Sequence, residues 1–318
     1  MHIMQTALTD SAKEAAYILN SGGVVAFPTE TVYGLGAGID NPEAIRQLFH
    51  AKGRPGDNPL IVHIYSLEQL PDVADDINQS ARLLIERFFP GPLTLVLKKN
   101  QRVPYSVTAG LETVGVRCPA NPLAREFLSY CSSPVAAPSA NLSGLPSATS
   151  WETVYEDLQG KINAVLRGKP SAIGLESTIV DCSCSVPILL RAGAITLEQL
   201  QAVLPAIIVN TPTDTQGAPK SPGLKYPHYA PKASIRLLRT NDTITTGPSS
   251  GYIGLSAPPE GVSLFKICHD LEEYGRELFS FFRHCDALGI NVIYCELPAN
   301  KGIGRAIRDR LIRASESH

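Results

Sequence analysis

Residues 27–36 read "FPTETVYGLG", and they interrupt an apolar run. The preceding "GGVVAF" has the character of a buried strand, Val24 to Phe27, which Pro28 ends. Thr29, Glu30 and Thr31 then stand side by side ahead of Gly34 and Gly36. A strand that merely ends in a turn has no need of that concentration of polar side chains. Two readings are open: a plain polar turn, or the floor of a site where backbone and hydroxyls meet a ligand.

The bulk composition narrows the choice. At 318 residues the chain suggests two domains on a prior of roughly 150 residues each. Hydrophobic residues make up 44% and charged residues 18%, which permits a filled core and excludes wholesale disorder. Lys and Arg number 28 against 30 Asp and Glu, so the chain lacks the basic excess used to coat phosphate backbones. Strong direct binding to nucleic acid is therefore not expected, and an anion site must be built locally from a few cations. The seven cysteines include one isolated C-x-C, Cys182 and Cys184, without the paired spacing of a zinc site. Reduced thiols, no signal pattern in "MHIMQTALTD" and no apolar run of membrane-spanning length lead us to expect a soluble, cytoplasmic protein with no membrane contact.

Along the chain, helix and strand signals alternate. A capping box, Ser11 with Glu14, opens a first helix, and Asn41-Pro42 opens a second with Ile45, Leu48 and Phe49 at helical spacing. "PLIVHIYS" (59–66) reads as a strand, "SARLLIERFFPG" (80–91) as a helix and "LTLVLKK" (93–99) as a strand. "VGVRCP", "PVAAPSAN", "STIVDCS" and "ILLRAG" continue the strands up to a helix whose capping box is Thr196 with Gln199. This predicts an α/β domain over 1–208, a Pro/Gly-rich linker over 209–233, and a smaller C-terminal α/β domain over 234–318.

Several familiar chemistries are absent: no phosphate loop of the Walker type, no dinucleotide fingerprint in "GLGAG", no nucleophile elbow, no H-E-x-x-H. What remains is a set of polar residues at strand and helix ends. Lys52 and Arg54 follow a helix, where cations answering its C-terminal dipole are worth roughly 0.3–1 kcal/mol. His63 lies in an apolar strand, where a satisfied core histidine is the plain reading. Arg117 and Arg191 also sit in apolar strands, and a buried arginine needs an anionic partner, for which Glu30, Glu112 and Glu176 are available. Taken singly, each residue admits a structural explanation. Taken with Ser139, Asn141 and Ser177 at strand-to-loop junctions, they point to a pocket for a polyanionic small molecule.

These motifs also carry a resemblance. "FPTETVYGLG", "KGRPGDNPLIVHI", "PGPLTLVL", "VGVRCP", "APSANLSG", "ESTIVD" and "LLRAGAI", in that order, closely resemble the YrdC-like threonylcarbamoyl-adenylate synthases. "SPGLKYPHYAPKA" (221–233) resembles the linker of the long two-domain form, and "KGIGRAIRDRLIRAS" (301–315) the end of its C-terminal domain. The resemblance implies a twisted, open mixed sheet with helices around a large cavity. It implies a nucleotidyltransferase that joins L-threonine, bicarbonate and ATP, with Mg²⁺, into threonylcarbamoyl-adenylate and pyrophosphate. The product would pass to a tRNA threonylcarbamoyl transferase complex that modifies the adenosine beside the anticodon, and the synthase itself is expected to be a monomer.

Carried over by position, Thr31, His63, Arg117, Ala137 and Ser177 are expected around threonine. Arg54, Asn58, Thr113, Ser139, Ser147, Arg191 and Tyr229 are expected around ATP, with Lys52, Arg54, Ser139 and Asn141 at the phosphates and the carbamate. The glycines after Thr31 are expected to let the chain pass close to the ligand. The linker segment 221–231 is expected to lie over the cavity mouth as a lid hinged near Gly223, with Tyr229 on ATP. Two rivals are a carbamoyl-transferring hydrogenase-maturation enzyme, which would carry paired-cysteine zinc motifs, and a non-catalytic RNA-binding module, which would show basic and aromatic residues interleaved.

Overall fold

The computed structural model describes residues 5–210, 229–239, 242 and 246–316. The first sheet comprises β1 (Ala7–Thr9), β2 (Val25–Phe27), β3 (Gly34–Gly38), β4 (Ile61–His63), β5 (Ala74–Asp75) and β6 (Leu93–Lys99). Its remaining strands are β7 (Thr113–Arg117), β8 (Val135–Ala137), β9 (Ala164–Leu166), β10 (Thr178–Asp181), β11 (Ile188–Arg191) and β12 (Ile208–Val209). Across the sheet they run β1-β9-β2-β3-β8-β4-β7-β6-β10-β11-β12, with β5 beside β6. Pairing is mixed: β4 lies parallel to β7, whereas β3 is antiparallel to both β2 and β8.

β3 is the strand that the sequence conceals. Its "GLGAG" was expected to skirt a ligand, yet all five residues are buried between β2 and β8. A Cβ on Gly34 would come within 2.9 Å of Phe27 Cζ, and one on Gly36 within 2.8 Å of Val135 Cγ1. The glycines answer the aromatic ring and the branched side chain of the neighbouring strands. This corrects the expectation that they make room for a ligand, although Gly34 does line the cavity described below.

The helices start where their caps predict. Asn41 accepts from Ala44 N ahead of Pro42–Lys52, and Gly53 closes that helix in the left-handed region at φ 61°. Thr196 and Gln199 form the full reciprocal box. The first box is only half made. Ser11 accepts from Glu14 N, but the Glu14 carboxylate instead takes the Thr9 hydroxyl at 2.5 Å.

A second sheet, β13 (Ser234–Leu238), β14 (Ser250–Gly254), β15 (Leu264–Ile267) and β16 (Val292–Glu296), is parallel throughout in the order β13-β16-β14-β15. Helices Leu271–Ala287 and Gly304–Ser315 contribute Phe279, Phe282, Ile307 and Leu311 to its core. That core takes in Val32, Leu175 and Tyr229 as well, so the C-terminal unit packs directly on the chain that follows β2 and precedes β10. Arg283 fastens the contact, reaching Asp157 Oδ2 at 2.7 Å and Pro146 O through Nε at 3.1 Å. The expected lid falls largely at 221–228, with Gly223, and those positions lie outside the described residues. Among the described residues no helix is long and apolar enough to cross a membrane.

Gly36→Ala is expected to cost about 1–3 kcal/mol of stability, the usual price of overpacking a filled core. Chemical unfolding of the full chain measures it, and an unchanged midpoint would show that the contact with Val135 yields freely.

Candidate active site

The ends of β4, β7, β8, β10 and β11 converge on one cleft of about 660 Å³ of atom-free space, partly open to solvent. Register places His63 opposite Arg117 on the parallel pair β4 and β7. Ser139, two residues past β8, bridges back to Gly34. A parallel pair flanked by loops leaves side chains at its carboxyl end pointing into a common crevice.

Thr29 to Thr31 prove to be both turn and wall. Thr29 donates to Val32 O at 2.6 Å, which closes the turn. Its hydroxyl proton is thereby committed, so in the 2.8 Å pair of hydroxyls Thr31 must donate to Thr29. Thr31 also accepts from Arg117 Nη1 at 2.7 Å, and one lone pair remains for a ligand donor. Arg117 further donates to Glu30 Oε1 at 2.6 Å and Gly91 O at 3.3 Å. The ion pair with Glu30 was one of the structural alternatives, and it coexists with Arg117 facing the cavity. Burial raises the Glu30 pKa, but Arg117 more than offsets it and the carboxyl stays below its ordinary range. Burial first, then Arg117, pushes the neighbouring His63 down to about 3. Its ring is therefore neutral, with Nδ1 at 3.1 Å from Ile61 O.

On the opposite wall, Arg191 donates from Nε to Ser177 O at 3.1 Å and from Nη2 to Ser177 Oγ at 3.2 Å, and that hydroxyl also meets Thr94 Oγ1 at 2.8 Å. Ser147 donates to Glu176 Oε1 at 2.5 Å. Arg54, which donates to Asn58 O at 3.1 Å, lines the cavity together with Ala137, Ser139, Asn141, Ser147 and Tyr229. Asn58 is fully buried, and neither its amide nitrogen nor its oxygen has a partner among the described residues. A buried unpaired amide costs on the order of 1–3 kcal/mol per group, yet Asn58 is not among the residues that line the cavity.

With Asn58, two further expected residues do not line the cavity. Lys52 does not line the cavity: its Nζ donates to Ser139 O and Asn141 O, each at 2.6 Å, and so holds the S-x-N loop from behind. Burial, with Arg54 nearby, pushes its pKa down to about 7. Thr113 opens β7 opposite Lys98, at the other end of the strand from Arg117, and is not part of the wall.

Tyr229 lines the cavity as expected, and residues beyond the expected set hold it there. Its backbone is in the left-handed region, φ 71°, a costly conformation for an aromatic residue. The C-terminal unit holds it there. Phe279 stacks on its ring at 5.3 Å, and the Arg310 guanidinium lies 5.4 Å from the ring centre. Arg310, fully buried, also donates to Glu176 Oε2 at 2.9 Å. A signal for it exists in the sequence. Arg310 falls on the apolar stripe of Ala306, Ile307, Leu311 and Ala314, where a solvated arginine has no place.

A mixed sheet around a cation-lined cavity, capped by a parallel C-terminal unit, defines the two-domain Sua5 type of fold. Two family models match the chain: Sua5_yciO_yrdC, described as Telomere recombination, over residues 17–193, and Sua5_C, described as Threonylcarbamoyl-AMP synthase, C-terminal domain, over residues 195–316. A relative from Pyrococcus abyssi named Threonylcarbamoyl-AMP synthase is 42% identical, covering 95% of this chain and 93% of its own length. One of the same name from Bacillus subtilis is also 42% identical, covering 95% and 92%. The solved structure of P. abyssi Sua5 complexed with L-threonine is similar at a TM-score of 0.86 and 39% identity, over 99% of this chain and 98% of that one. The chain belongs to the Sua5/YrdC family, in its long two-domain form.

The neutral His63 gives stability a defined pH dependence. Unfolded, the imidazole takes a proton near pH 6.5; folded, only near 3. Its contribution is complete above the unfolded value and is lost as pH falls from there toward the folded one. The depressed carboxyls of Glu30 and Glu176 add losses only below their ordinary value of 4.5. Between pH 6.5 and about 5 the unfolding free energy should therefore drop by about 1–2 kcal/mol. His63→Gln should flatten this step, and denaturant titrations with equal slopes for both proteins would contradict the assignment.

Proposed function

We propose that this chain is a threonylcarbamoyl-AMP synthase, forming threonylcarbamoyl-adenylate and pyrophosphate from L-threonine, bicarbonate and ATP. One observation carries the reading: the residues expected at threonine, Thr31, His63, Arg117, Ala137 and Ser177, line the same cavity as Arg54, Ser139, Ser147, Arg191 and Tyr229 of the set expected at ATP. The threonine complex of the P. abyssi relative supports it.

The chemistry suits these residue types. The amine of threonine captures carbon dioxide to give a carbamate. A carbamate oxygen then attacks the α-phosphorus of ATP, the α–β phosphoanhydride bond breaks, and pyrophosphate leaves with the electron pair. No protein nucleophile is required. Catalysis rests on holding the carbamate and the α-phosphate in line and on matching negative charge with fixed guanidinium groups. The remaining lone pair of Thr31 accepts an N–H of the amino acid, and Arg117 offers its cation to the carboxylate. Lys52 acts one step back, fixing the carbonyls of the S-x-N loop so that Ser139 and Asn141 face the phosphates. A partly closed cleft slows hydrolysis of the carbamate and the mixed anhydride.

Mg²⁺ enters this reading as part of the nucleotide. Among the described residues no three His, Cys, Asp or Glu side chains cluster as a metal cage, and Glu30 and Glu176 are each committed to an arginine. On this reading the ion would arrive with the nucleotide and would supply positive charge against its phosphates. In the cell, on this reading, a monomer in the cytoplasm hands the labile product to a transferase complex acting on tRNA.

Pyrophosphate release is expected to require threonine and bicarbonate together. Equal release after rigorous removal of carbon dioxide would refute the mechanism. Arg117→Ala is expected to weaken threonine binding by roughly 1.5–3 kcal/mol, one to two decades, while ATP affinity stays nearly constant. Calorimetry that finds threonine affinity unchanged would return Arg117 to the single role of partner for Glu30.

A further inference from the structure

Arg310 sits on the helix Gly304–Ser315, yet among the described residues it is the largest fully buried side chain. Its Nε donates to Glu176 Oε2 at 2.9 Å and its Nη1 to Asp309 Oδ2 at 2.7 Å. Its guanidinium lies over the Tyr229 ring. The last nitrogen, Nη2, is buried with no acceptor among the described residues, a cost that a clamp serving packing alone would avoid. Glu176 and Tyr229 both line the cavity, and the other oxygen of Glu176 takes the Ser147 hydroxyl proton.

The consequence for a ligand follows from proton accounting. Ser147 has one proton and gives it to an ionised carboxylate, so toward the cavity its oxygen only accepts. An acceptor-only oxygen beside a carboxylate repels phosphate oxygens and suits a ribose hydroxyl or a base amino group. Glu176 itself is an anion in the wall of a site for polyanions, and is tolerable there only while a cation is fixed behind it.

We propose that Arg310 is a positioning residue for the nucleoside half of the cavity, through which the C-terminal unit sets ATP affinity. By neutralising Glu176 and backing Tyr229, it lets Ser147 present an acceptor to the ribose or base. This rests on the synthase reading given above, and it assigns to the C-terminal domain a role in the reaction that its sequence alone does not suggest.

The test uses the full-length chain and steady-state pyrophosphate release. Arg310→Met should raise KM for ATP about tenfold or more, because an uncompensated carboxylate then faces the nucleotide, with KM for threonine within about threefold of the parent. Adding Glu176→Gln removes that charge while keeping an acceptor for Ser147, and should bring KM for ATP back to within about threefold. Should Arg310→Met alone fail to fold, Arg310→Lys keeps the positive charge but loses the fork, and should still raise KM for ATP selectively. Both KM values moving together in Arg310→Met or Arg310→Lys, or a double variant as weak for ATP as the single one, would overturn the proposal while leaving the synthase reading intact. A parent enzyme that makes no threonylcarbamoyl-adenylate would overturn that reading, and the proposal with it.

Discussion

A guanidinium taken out of water must be met by acceptors, and besides Arg54, which meets Asn58 O, the protein answers that constraint at three further arginines among the described residues. Arg117, Arg191 and Arg310 are each less than a tenth exposed. Glu30 meets the first, the backbone and hydroxyl of Ser177 meet the second, and Glu176 meets the third. Stripping one partner from such a buried pair leaves a charge whose cost is roughly 3–5 kcal/mol. The polar strings that break the apolar strands, T-E-T after β2 and E-S before β10, are therefore the acceptors that allow arginines to stand at strand ends at all. The same acceptors hold each arginine rigid, and rigidity is what an electrostatic site needs if it is not to reorganise as charge moves.

The pairing also ties the two parts of the chain together. Glu176 serves Ser147 on the cavity side and Arg310 on the side of the C-terminal unit. Tyr229 lies between Phe279 and the cavity in a strained conformation that an isolated linker would not hold. The Glu176 and Tyr229 side of the cavity is thus built from both units, whereas Thr31, His63 and Arg117 all come from the first.

Much of this was legible from residues. Caps at Asn41 and Thr196, the apolar runs of β6 and β7, and arginines inside apolar strands each have a local cause that can be read without coordinates. The strand β3 was hidden because its five residues carry almost no side-chain pattern. Only the neighbours Phe27 and Val135, distant in sequence from one another, explain why it must be glycine-rich. Lys52 was placed at the phosphates by its position in the family's K-x-R motif, beside Arg54. Sequence cannot reveal that two carbonyls of another loop lie within its reach. Arg310 escaped for the opposite reason: in a helix rich in arginine, one buried member is masked by its solvated neighbours.

The proposed function turns on which carboxylate attacks ATP, that of the carbamate or threonine's own. Incubation of the enzyme with ¹³C-bicarbonate, threonine and ATP, followed by mass spectrometry of the adenylated product, reads this directly. The account predicts an adenylate that carries the labelled carbon on the threonine nitrogen. An unlabelled threonyl-adenylate, formed through the amino acid's own carboxylate, would contradict it.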